Sequence, residues 1–134
     1  MRRYEQLCPI ARTLDLVGDR WTLVVIRDLF MGSSKFSELA AGEPGPPPRV
    51  LSARLKMLVE EGMVEREVYC QHPLRAEYRL TEKGRSLLPV LLEIGKWGIE
   101  HTFESEPELR AEVARRVADE MPGARAVLEE GGML

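Results

Sequence analysis

Residues 42–48 read Gly-Glu-Pro-Gly-Pro-Pro-Pro, and four prolines and two glycines in seven positions exclude both helix and strand. The chain must turn here and leave the turn stiff. In the stretch that follows, Leu51, Leu55, Leu58 and Val59 lie at the spacing of one helical stripe. Arg49, Ser52, Ala53 and Lys56 fall on the opposite side of the same wheel. Pro48 suits the first turn, where its missing N–H costs nothing, and Gly62 suits the stop. The reading is a helix over 48–61 with an apolar face and a face of cations, a hydroxyl and a methyl. Many solvated surface helices have such a face, so its meaning depends on the elements around it.

Upstream, Cys8-Pro9 opens a first helix with Ile10, Ala11, Leu14 and Val17 in register, ended by Gly18. Asp19 is placed to cap a second helix, Arg20 to Met31, apolar on nearly every side and therefore central, with Trp21 in the core. Ser33 or Ser34 caps a short third helix whose Phe36 and Leu39 face inward. Residues 35–61 thus read as helix, rigid turn, helix. After Gly62 the period changes to two: Val64, Arg66 and Val68 alternate with Glu65, Glu67 and Tyr69. A polar connection over 70–75 leads to a second alternating run at Ala76, Tyr78 and Leu80. Thr81 then caps a long helix to about His101, with Leu87, Leu88, Leu91, Ile94 and Trp97 on one face. Pro89 kinks that helix or marks its early turns. A last amphipathic helix begins at Pro107, with Leu109, Val113, Val117 and Met121 four apart and Ala114 beside them. Pro122-Gly123 breaks it, a short segment follows over 124–130, and Gly131-Gly132 ends it. The fold class is mainly α with a small β-hairpin, in the winged helix-turn-helix order.

The net charge of −3 at first argues against a nucleic-acid partner, but its distribution matters more. Residues 100–134 hold nine acids against four arginines, a net −5, which leaves +2 on residues 1–99. The apolar runs are too short to span a bilayer, and the first residues lack the apolar core of a signal peptide, so a cytoplasmic protein is expected. Two cysteines are too few for a disulfide scaffold. Cys70-x-His72 lacks the second pair of ligands that structural zinc needs, so neither a metal nor a cofactor is expected. A phosphate-cradling glycine loop and paired carboxylates with a catalytic base are both missing, which argues against an enzyme.

With these elements in order, the chain resembles the HxlR-type transcriptional regulators, winged-helix proteins related to the MarR group. Cys8-Pro9-Ile10-Ala11 looks like the family's N-terminal motif. Gly18-Asp19-Arg20-Trp21-Thr22-Leu23 with Ile26-Arg27-Asp28-Leu29 looks like its second-helix signature, and Lys35-Phe36-Ser37-Glu38-Leu39 like the next helix. Pro48 through Leu58 and on to Gly62 matches the recognition helix. Glu77-Tyr78-Arg79-Leu80-Thr81 with Gly84 matches the return strand and the following cap. The resemblance covers roughly 7–101. It implies a homodimer on double-stranded DNA, with the 48–61 helix in the major groove and the hairpin at 64–80 on flanking DNA. A domain over 1–103 would bind DNA and dimerise, and 104–134 would be an acidic helical extension.

On that reading Arg49 and Ser52 contact bases or phosphates, Ala53 meets a thymine methyl, and Lys56 joins them with Pro48 at the helix start. Arg54 lies nearer the core side and is structural or touches a phosphate. Lys35 and Ser37 open the preceding helix, where an N-terminus and a cation suit a phosphate. Arg75, with Gln71 and His72, reaches from the wing. Trp97 packs at the dimer interface. The resemblance also implies that Cys8 senses oxidants or quinones; it precedes a helix N-terminus, with Arg12 one turn on and Arg2 and Arg3 near in sequence. The alternative for Cys8 is a small hydrophobe buried at the interface. A small-molecule or oxidant effector is compatible with this reading, and repression is the expected mode. Two departures stand out. Pro46 and Pro47 occupy the place where the family carries an apolar residue and then Ser or Asn, which removes a capping side chain. The tail beyond about 104 exceeds the family's minimum. Two rival readings remain: a winged-helix protein-interaction module without DNA binding, and a thiol enzyme using Cys8 or Cys70.

Overall fold

The structure is a computed structural model that describes residues 7–134. The chain divides into two compact units, residues 1–81 and 82–134.

The first unit runs α1 (Pro9–Val17), α2 (Thr22–Phe30), α3 (Phe36–Ala40), α4 (Pro48–Glu60), β1 (Val64–Gln71) and β2 (Leu74–Leu80). The Asp19 carboxylate accepts the N–H groups of Trp21 at 2.8 Å and Thr22 at 3.0 Å, and the Thr22 hydroxyl donates to its second oxygen. Asp19 therefore caps α2 as its sequence position predicts, although regular helix begins at Thr22. Val25, Ile26 and Leu29 of α2 are buried with Leu39 of α3 and Leu51, Leu55 and Leu58 of α4. Each of these large aliphatic side chains contributes about 1.5–3 kcal/mol by leaving water. Trp21 is only half-buried, with the Arg20 guanidinium 5.2 Å above its ring, so the expectation of a core tryptophan is met in part. Asp28 is buried in the same helix and pairs with Arg27 at 2.9 Å.

The start of α3 corrects the expected serine cap. Glu38 reaches back to accept the N–H of Lys35 at 2.9 Å and of Ser34 at 3.1 Å. These two backbone donors hold the Glu38 carboxyl below its ordinary value. Gly62 ends α4 at φ +73°, a left-handed conformation that glycine adopts without Cβ strain. The hairpin is antiparallel, with Val64 opposite Leu80, Arg66 opposite Tyr78 and Val68 opposite Ala76, and its register shifts between Val68 and Cys70. Pairing continues to Gln71 opposite Leu74, so only His72-Pro73 turns, where the sequence suggested a six-residue connection. Residues just before α3 add to the sheet: Lys35 bridges Glu77, and Tyr78 donates its N–H to the Ser34 carbonyl at 2.7 Å.

The second unit runs α5 (Glu82–Arg85), α6 (Leu88–His101), α7 (Pro107–Glu120) and α8 (Ala124–Glu130). The long helix expected over 82–101 is two helices. Pro89 has no N–H for the Arg85 carbonyl one turn back, and its ring crowds that carbonyl. The chain instead closes a tight turn, Leu87 N–H to Gly84 carbonyl at 3.2 Å, and restarts with Pro89 in the first turn of α6. The core of this unit joins Ile99 of α6, Ala114 and Ala118 of α7 and Leu128 of α8. The buried stripe of α7 is thus centred on its alanines, with Val113 and Val117 only partly covered and Leu109 exposed. Small side chains there let the helices approach closely. Gly123, at φ +77°, makes the turn between α7 and α8.

Candidate nucleic-acid interface

Helix α4 presents the predicted face. Arg49, Ser52, Ala53 and Lys56 are all exposed, while Leu51, Leu55 and Leu58 hold the opposite side in the core. Pro48 stands exposed at the first position of the helix, and no side chain caps the end. This bears out the loss of a capping side chain at Pro47. The Leu51 N–H closes the first turn onto the Pro47 carbonyl at 2.9 Å. No acidic residue lies in the first turn of α4, at the positive end of its dipole.

Among the described residues of this unit, three arginines pair with carboxylates of the protein itself. Arg27 pairs with Asp28 and donates to the Glu43 carbonyl at 3.4 Å, which ties the proline-rich turn to α2. Arg79 meets Glu67 at 2.8 Å and Glu65 at 3.4 Å on the outer face of the hairpin. Arg54 of α4 lies 3.7 Å from Asp19 with its side chain half-buried. Burial pushes the Asp19 carboxyl upward, but the Thr22 hydroxyl, the Trp21 and Thr22 N–H groups and the Arg54 charge outweigh it and hold the group below its ordinary value. Arg49, Lys56 and Arg75, by contrast, have no carboxylate within 4.0 Å among the described residues.

Lys35 and Ser37 sit exposed at the start of α3, and the Lys35 ammonium lies 5.8 Å from the centroid of the Tyr69 ring. That contact joins the α3 start to the hairpin, since Tyr69 belongs to β1. Arg75 is exposed beside the hairpin turn, opposite Cys70. A cleft of about 430 Å³ separates α4 from the hairpin, lined by Ser52, Lys56, Val59 and Glu60 on the helix and Arg66 and Tyr78 on the strands. Arg66 and Tyr69 were not singled out as site residues from the sequence. An arginine between two valines in the inward register of a strand was the available signal for the first.

Cys8 is exposed at the N-cap of α1, and its carbonyl accepts the Arg12 N–H at 3.0 Å. Arg2 and Arg3 lie outside the described residues. Cys70 is a half-buried free thiol. Among the described residues no cluster of ligating side chains could hold a metal, and no helix is long and apolar enough to cross a membrane.

Comparison with known proteins identifies the family. The HxlR-like helix-turn-helix family matches residues 16–106. The uncharacterized HTH-type transcriptional regulator YvaP of Bacillus subtilis is 44% identical over 96 residues, 71% of this chain and 89% of its own. The uncharacterized HTH-type regulator Rv3095 of Mycobacterium tuberculosis is 46% identical over 92 residues, 69% of this chain but only 58% of its own length. Among solved structures, the redox regulator HypR in its reduced form superposes with a TM-score of 0.65 at 36% identity, over 73% of this chain and 99% of its own. The reduced transcriptional regulator YodB of B. subtilis gives 0.60 at 33%, over 72% and 95%. The chain belongs to the HxlR-like helix-turn-helix family, and with it to the winged-helix transcriptional regulators rather than to any enzyme class.

Proposed function

We propose that the protein binds a two-fold symmetric operator as a homodimer, with α4 in the major groove and the hairpin on the flanking DNA, and represses the adjacent genes. One observation carries the reading. On α4 and the wing tip, Arg49, Lys56 and Arg75 are exposed and unpaired among the described residues, while Arg27, Arg54 and Arg79 are consumed by internal pairs. Free cations on a helix with an uncapped N-terminus suit phosphates and base edges. Residues 1–103 are the DNA-binding and dimerisation module, and 104–134 are an extension that stays off the DNA. The exposed apolar residues Ile10 and Leu14 of α1 and Val90, Ile94 and Trp97 of α6 are the surfaces we assign to the second copy. Fluorescence anisotropy on a fragment upstream of the protein's own gene, at two salt concentrations, tests the core of the proposal. Specific, salt-sensitive binding supports it. Equal affinity for unrelated DNA, or none for either, refutes it and favours a protein-interaction module.

Cys8 is the proposed sensor. It is an exposed thiol at a helix N-terminus, and the similar protein HypR is a redox regulator. Treatment with diamide or a quinone should lower operator affinity in the wild type and spare Cys8→Ser. Full affinity in a wild-type sample whose Cys8 is shown modified by mass spectrometry refutes the sensor.

A further inference from the structure

We infer that Arg54 is a positioning residue: through Asp19 it fixes the rotation of α4 about its own axis, and it contacts neither base nor phosphate. The inference rests on the DNA-binding reading above. Arg54 lies on the flank of α4 away from Ser52, Lys56 and Val59. That second flank borders the open cleft of about 430 Å³ against the hairpin. The core stripe of Leu51, Leu55 and Leu58 sets the depth and the coarse rotation of the helix, and a directional polar contact on one flank fixes that rotation more finely. On the cleft side the helix has room to roll. On the other side the guanidinium of Arg54 is held 3.7 Å from Asp19. The Arg54 Nε is buried and has no hydrogen-bond partner, so the Asp19 charge is what balances it.

Asp19 is itself fixed. It receives the Trp21 and Thr22 N–H groups and the hydroxyl of the fully buried Thr22. The ion pair thus runs from the rigid N-terminus of the central helix to the middle of α4. A roll of about 10° moves a side-chain end 5–6 Å from the axis by about 1 Å. That is enough to take a base-edge hydrogen bond out of its distance range.

The test is a double-mutant cycle on DNA affinity in the full chain, using Asp19→Asn and Arg54→Gln. Asparagine keeps an oxygen acceptor for the α2 cap while removing the charge. Each single variant is expected to weaken specific binding about tenfold, within the usual range of coupled polar pairs, and the double variant no more than either single. The slope of log affinity against log salt should match the wild type, because no phosphate contact is lost. A phosphate contact at Arg54 would lower that slope by about 0.9 in Arg54→Gln alone. Chemical unfolding of the same four proteins confirms that each is folded at the assay temperature. Additive losses, a lowered slope, or unchanged affinity in Arg54→Gln each overturn the inference. Wild-type protein that binds no DNA overturns the underlying reading instead, and this is seen before any variant is made.

Discussion

Arg49 stands exposed at the second position of α4, unpaired among the described residues and able to present its planar fork to a guanine edge. Its truncation to alanine should cost about 1–3 kcal/mol of operator binding and relax selectivity at one base position. Titration against a panel of operator variants checks both parts. Asp19 sets a second prediction at this scale. Its carboxyl titrates below its ordinary value, so its contribution to stability is present above the unfolded value of 3.8 and is lost as pH falls through the lower folded value. The stability gap between wild type and Asp19→Asn, measured as the urea midpoint, should therefore narrow as pH drops from about 5 to about 3. At single residues the sequence was informative where the signal was local. The polar face of α4 follows from spacing alone, and the Asp19 cap from its place before an apolar run. The Asp19–Arg54 pair joins positions thirty-five apart, and no period in the chain points to it.

Among the elements, boundaries follow from turn chemistry. Gly62 holds φ +73° with open space where a Cβ would sit, so Gly62→Ala strains the backbone without a clash. The loss in unfolding free energy should be about 1–2 kcal/mol, the ordinary penalty for an L residue in that region. Thermal or urea denaturation measures it. A loss under half that size would mean that the turn relaxes. Two further boundaries are set by the same kind of chemistry. Pro89 ended one helix and began another because a continuous helix would have lost the bond to the Arg85 carbonyl, and the apolar spacing on both sides hid the break. At the start of α3 two serines stand where a cap is expected, yet Glu38 accepts the backbone N–H groups from within the helix. In both cases two local signals competed and the backbone hydrogen bonds decided.

For the molecule as a whole, α6 has one covered side and one exposed apolar side. Ile99 faces the core shared with α7 and α8, while Val90, Ile94 and Trp97 remain exposed at 41%, 50% and 62%. If the exposed side meets a second copy, the double variant Ile94→Glu, Trp97→Glu should scatter light as a particle of 15.2 kDa and the wild type as twice that mass. Removing 105–134 should uncover Ile99 and lower dimer stability while leaving the operator footprint of each half-site unchanged. The acidic tail was legible as amphipathic helices, but its packing stripe was not, since alanines carry little weight in an apolar pattern. One feature of the first unit bears on how such a molecule engages DNA. The run over 42–48 confines its own backbone with four prolines, and Arg27 anchors it at the Glu43 carbonyl. The chain therefore arrives at α4 already ordered, with little conformational freedom left to surrender on binding. Association should proceed without coupled folding of the reading helix. In calorimetry its heat-capacity change should then reflect only the surface buried at the groove, and helical circular dichroism should not rise when operator is added.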